Sequence, residues 1–98
     1  MADGFEKAIE RLRRSEVYDV EVMRGDISDA IDAAMRDGNI SKAEFARRLG
    51  TSRAYVTMIL RGNANFTVKS LVKIARALGG KFDVSFHFPS AVSGQHER

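Results

Sequence analysis

Between Phe45 and Gly62 the chain reads FARRLGTSRAYVTMILRG, two runs of good helix formers cut by Gly-Thr-Ser. Three residues allow a helix to stop, turn a corner and restart, and little else. Gly50 is free to take the positive φ such a corner needs, and Ser52 has the side-chain oxygen that caps a new helix. Ala46 is small enough for close approach, while Leu49, Val56 and Ile59 are spaced to fix the crossing. Neither short helix buries its apolar stripe alone, so the flanking segments must supply the rest of a core.

Those segments carry the necessary patterns. From Asp26 to Arg36, Ile27, Ile31, Ala34 and Met35 share one helical face, with Asp26 or Ser28 as a cap and Asp37-Gly38-Asn39 as the stop. In ISKAEFARRLG, Ser41 and Glu44 stand at capping-box spacing, and the inward stripe is Ala43 or Phe45, with Ala46 and Leu49. Val56, Ile59 and Leu60 form the inner face of Arg53 to Leu60, which Gly62 ends. Thr67 caps VKSLVKIARAL, with Leu71, Ile74, Ala75 and Leu78 inward and Lys69, Lys73 and Arg76 outward.

The two ends differ from this middle. Phe5, Ala8, Ile9 and Leu12 predict a short amphipathic helix. Residues 15–25 fit either a continuing helix, through Tyr18 and Val22, or a strand, through Tyr18, Val20 and Val22; helix is favoured. KFDVSFHF alternates strictly, with Phe82, Val84, Phe86 and Phe88 on one side, and predicts a strand that Pro89 stops. A chain of 98 residues supports one small core, divided as an N-terminal helical extension (1–25), a corner-bearing domain (26–80), a strand (81–89) and a flexible polar tail (90–98).

Charge narrows the range of partners. Residues 1–41 hold 6 Lys or Arg and 10 Asp or Glu, whereas residues 42–81 hold 9 basic residues and the single acid Glu44. That split points to an anionic partner for the middle of the chain, nucleic acid foremost, against a solvated basic face as the plain alternative. The absence of cysteine excludes disulfides and thiolate metal sites. No secretory leader or membrane-length apolar run is evident, so a soluble, cytoplasmic protein is the expectation. There is no phosphate-binding glycine loop, nucleophile elbow or zinc-binding helix motif, and His87 and His96 read as ordinary surface residues. Neither catalysis nor a cofactor or metal is expected.

Taken together, SKAEFARRLGTSRAYVTMILRGNANFTVKSLVKIARALG resembles the Xre family of helix-turn-helix regulators, which includes lambda-type phage repressors and many bacterial antitoxins. Ala46, Gly50, Ser52, Val56, Ile59, Gly62 and Thr67 carry the likeness, over roughly residues 26–80. It implies an all-α bundle of about five helices, here with one C-terminal strand, a recognition helix at Arg53 to Leu60, and a dimer on a palindromic operator in double-stranded DNA. Three positions depart from the family habit: Lys42 stands where Gln is frequent, Met58 where a polar base reader is common, and Leu60 where Glu is frequent.

With Val56, Ile59 and Leu60 turned inward at 100° per residue, Arg53, Ala54, Thr57 and Met58 face out as base readers. Arg53 suits a bidentate pair with guanine, and the others suit thymine methyls or, for Thr57, a base edge. Met58 has surface or packing contact as its plain alternative, and Tyr55 fits half-core packing with its hydroxyl on a phosphate. Phosphate contacts are expected from Ser41, Lys42, Ser52, Tyr55, Arg61, Asn63 and Asn65, while Arg47 and Arg48 read as solvated. The predicted strand, through Phe82, Val84, Phe86 and Phe88, has three possible partners: its own copy in a homodimer, which is preferred, the 18–22 segment, or another protein. The leading function is a repressor. The alternative is an antitoxin whose acidic N-terminal region binds a cognate toxin while the same unit represses the operon.

Overall fold

The computed structural model describes residues 2–89, and the polar tail with His96 lies outside them. Four helices form among the described residues: α1 (Ala2–Asp37), α2 (Lys42–Leu49), α3 (Arg53–Leu60) and α4 (Val68–Ala77). The bundle is therefore all-α, as expected, but with four helices in place of about five. The segments read as a short N-terminal helix, an ambiguous stretch and a core helix are one unbroken helix of 36 residues, and residues 81–89 after α4 add no further helix. Gly25 sits in its interior, where a glycine weakens a helix by roughly 1 kcal/mol without ending it.

Each later helix starts on the residue whose side chain was suited to it. Ser41, Ser52 and Thr67 accept the backbone N–H of Glu44, Tyr55 and Ser70, three residues on in each case. Only Thr67 completes a reciprocal box, with Ser70 returning the bond. The Ser41 cap is one-sided, because Glu44 turns to Arg47 and Arg48 instead of back to the cap. Neither Asp26 nor Ser28 caps anything, since both lie inside α1; Ser28 is buried, and its hydroxyl donates to the carbonyl of Ile59.

All four helices end in the same way. At the corner, Gly50 has φ 71° and its N–H returns to the Arg47 carbonyl at 3.1 Å, while the Thr51 N–H reaches the Ala46 carbonyl at 2.9 Å. This paired return satisfies two carbonyls that would otherwise lack partners, and it requires a left-handed residue. Gly62 and Gly79 close α3 and α4 with the same bonds, and Asn39 (φ 55°) serves for α1.

The core gathers one or two residues from every element: Ile31 and Met35 from α1, Phe45 and Ala46 from α2, Val56 and Ile59 from α3, Ala64 from the loop, and Ile74 from α4. Phe45, Val56 and Ile59 are fully buried, each worth roughly 1.5–3 kcal/mol of transfer free energy. Ala43 is exposed, so the inward stripe of α2 runs through Phe45. Leu49, Leu60 and Leu78 pack around this centre half-buried. α3 thus packs on α2 and α1, and α2 on α4.

Residues 81–89 form no strand. A strand exists only when a neighbour accepts and donates along its edge, and no described segment of the chain pairs its backbone with this one. Phe82 alone is half-buried, against a groove between α1 and α4 that Ile27, Ala34, Leu71 and Leu78 also line.

Candidate nucleic-acid interface

The geometry of α3 follows from its two sides. Its inner residues Val56 and Ile59 are 0% exposed, and none of the described residues covers the outer side, where Arg53, Ala54 and Met58 are exposed and Thr57 is half-buried. Met58 is 39% exposed, so it is not a core residue. Tyr55 is half-buried and packs against the core, on a hollow between the corner and α4 that Leu49, Ser70, Lys73 and Ile74 also line. The side chain is thus spent on packing for much of its area, as its marginal helical position implied.

Around this rod stand the other sequence-derived candidates. Ser41 and Lys42 open α2, both exposed; Ser52 opens α3; Arg61 and Asn63 follow its C-terminal end, also exposed. The hydroxyls of Ser41 and Ser52 already accept backbone N–H groups as caps, which orients them and leaves their own protons free to donate. Asn65 is exposed, but its side-chain oxygen accepts a hydrogen bond from the Arg24 guanidinium of α1.

The local charge is shaped by one cluster. Glu44, the only acid in residues 42–81, accepts from Arg47 Nε at 3.0 Å and Arg48 Nε at 2.9 Å. The hydrogen bonds from Arg47 first, then from Arg48, hold its carboxyl down to about 2. Its charge is therefore balanced within α2 and does not oppose an anion arriving at the helix start. Arg48 also donates to the Ala77 carbonyl at 2.9 Å, tying α2 to the end of α4. It is a structural link, where the sequence suggested a solvated side chain. Lys42, Arg53 and Arg61 are left on the α2–α3 surface with no salt bridge among the described residues.

The four apolar residues assigned to self-association do not act as a group within one chain. Phe82 turns into the α1–α4 groove, whereas Val84, Phe86 and Phe88 are 70%, 79% and 60% exposed. Three contributors were missed from sequence: Arg24, Ser28 and the second role of Arg48. The partners of Arg24 and Ser28 lie 41 and 31 residues away, and no local spacing encodes such a pairing.

Residues 31–84, just over half the chain, match a family model described as helix-turn-helix. No curated protein matches the chain, and no solved structure does. Among the described residues, no helix is long and apolar enough to cross a membrane.

Proposed function

The chain belongs to the Xre-type helix-turn-helix family of DNA-binding transcription regulators, and from that premise we propose that it is a sequence-specific repressor acting by occupying an operator. The observation that carries this reading is the division of α3, whose inner side is sealed into the core while Arg53, Ala54 and Met58 stand clear of the rest of the fold.

In this assignment Arg53 makes a bidentate pair with guanine and Ala54, Thr57 and Met58 meet base edges or thymine methyls. Ser41, Lys42, Ser52, Tyr55, Arg61, Asn63 and Asn65 hold phosphates, supplying affinity and register without sequence information. Two copies related by a two-fold axis, joined through residues 81–88, set their recognition helices about 34–36 Å apart on a palindromic site. Exposed Phe86 and Phe88, and backbone edges that find no partner among the described residues, favour that pairing. Repression by occupancy requires no further chemistry, and the protein acts in the cytoplasm at the nucleoid without a cofactor or catalytic step.

A second activity is compatible with the first. The outer part of α1 extends beyond the bundle and keeps Phe5, Leu12 and Tyr18 more than two-thirds exposed. This surface, in a segment rich in acidic residues, favours a protein partner, and a basic toxin neutralised by an autoregulating antitoxin is that reading in its sharpest form. Co-purification with the product of an adjacent small reading frame separates the antitoxin from a stand-alone repressor.

The deciding experiment is selection of bound duplexes from a random pool, followed by titration of variants against the selected site. A palindromic consensus is expected. Arg53→Ala lowers affinity and relaxes preference at one base position, by roughly 1–3 kcal/mol. Lys42→Ala weakens selected and random duplexes alike and reduces the salt slope by about 0.9. Equal losses on both duplexes from both variants, or failure to enrich any sequence, rejects the proposal.

A further inference from the structure

The turn that follows α3 is held from behind by neighbouring residues of α1. Ser28 Oγ donates to the carbonyl of Ile59, the last buried residue of α3. Gly62 backs onto the same helix, so that a Cβ added there would meet Ser28 Oγ at 3.7 Å and Gly25 Cα at 3.9 Å. From the position just before Gly25, Arg24 donates through Nη2 to Asn65 Oδ1 and through Nη1 to Glu21 at 2.9 Å. α1 thus grips the start and the end of the 59–65 segment.

The bond to Asn65 has a directional consequence. A guanidinium has only donors, so it accepts nothing and must meet the oxygen of the amide, never its nitrogen. Once Oδ1 is held toward α1, the NH2 group is fixed as the free end of an exposed side chain, with two N–H donors available to an anion. Arg24 itself is poorly placed to meet a phosphate: its side chain is 27% exposed and its charge is matched by Glu21.

We propose that Arg24 is a positioning residue for the DNA backbone, holding the Asn65 amide so that its NH2 donates to a phosphate beside the recognition helix. This rests on the DNA-binding reading above and assigns a role to a residue of α1 upstream of the family match.

The test is fluorescence anisotropy over a salt series, on one duplex carrying the selected site and one of random sequence. The proteins are the unaltered chain, Arg24→Ala, Arg24→Lys, Asn65→Ala, Asn65→Asp and the Arg24→Ala/Asn65→Ala double variant. Arg24→Ala and Asn65→Ala are each expected to lower affinity about fivefold to tenfold on both duplexes, the scale of one hydrogen bond. The double variant loses no more than either single, because both changes remove the same contact. The salt slope stays unchanged in Arg24→Ala, since no phosphate-neutralising charge is lost. Arg24→Lys recovers part of the affinity, and Asn65→Asp, which keeps the acceptor for Arg24 but has no N–H, loses at least as much as Asn65→Ala.

Multiplying losses, an unaffected Arg24→Ala, or a slope reduced by about 0.9 in that variant overturns the assignment, the last because it makes Arg24 a direct phosphate contact. Should Arg24→Ala melt early, the comparison of Arg24→Lys with the two Asn65 variants decides the matter at intact fold. An unaltered chain that binds neither duplex removes the DNA-binding reading and this inference together. Binding by the unaltered chain with no loss in Arg24→Ala removes only the inference.

Discussion

α3 and residues 81–89 are both two-sided, and the fold treats them in opposite ways. α3 repeats its apolar residues at the helical period and buries Val56 and Ile59 completely. Residues 81–89 repeat theirs at period two, yet Val84, Phe86 and Phe88 remain between 60% and 79% exposed, the last two stacked on each other with ring centroids 6.2 Å apart. The contrast lies in the backbone. A helix closes its own hydrogen bonds and asks its neighbours only for side-chain contact, whereas an extended segment needs a partner for its main chain as well. Among the described residues of one copy the first requirement is met and the second is left open.

The contrast is broken most sharply by core truncation. Ile59→Ala is expected to destabilise the folded chain by about 2–5 kcal/mol in denaturant unfolding, the cost of lost transfer and an unfilled cavity. Phe86→Ala, which removes a larger side chain, leaves the unfolding free energy of the dilute monomer within about 0.5 kcal/mol. Similar losses in the two variants would show that residues 81–89 already pack in one chain.

Self-association gives the next effect in size. If the strand forms only between copies, melting temperature rises with protein concentration, and deleting residues 81–88 removes that dependence while leaving a folded monomer. Sedimentation of the deletion variant as a dimer would break the comparison from the other side.

The smallest effect concerns α2. Glu44 is held from its ordinary 4.5 down to about 2, so its contribution to stability is present above pH 4.5 and drains away as pH falls toward 2. Glu44→Gln should flatten the stability profile over that interval and leave it unchanged at neutral pH apart from a constant offset. An acid profile identical in the two proteins would show that the carboxylate is free of Arg47 and Arg48 in solution.

Much of this architecture was readable because it is encoded locally. Ser41, Ser52 and Thr67 cap within three residues, Gly50 closes a corner within five, and the inward stripes of α2, α3 and α4 need only their own period. The exposed outer side of α3 followed from the same arithmetic. What escaped was decided across the fold. Asp26 and Ser28 have the chemistry of caps, but burial of Ser28 against Ile59 outweighed that local option and α1 ran on through both. The Arg24 and Arg48 bonds join residues 41 and 29 positions apart. Strict alternation in residues 81–88 predicts a strand, although alternation reports only a preferred backbone and not the presence of a neighbour.

The continuity of α1 has a mechanical consequence. Its residues from Ala2 to about Met23 form a stiff arm roughly 30 Å long at 1.5 Å per residue, rooted where Ser28 and Arg24 grip the end of α3 and the turn after it. Such an arm works as a lever on the turn that follows α3: a load fastened at Phe5 delivers its torque beside Asn65, and a dye attached at Phe5 magnifies any tilt of α3 into a displacement large enough to follow by energy transfer.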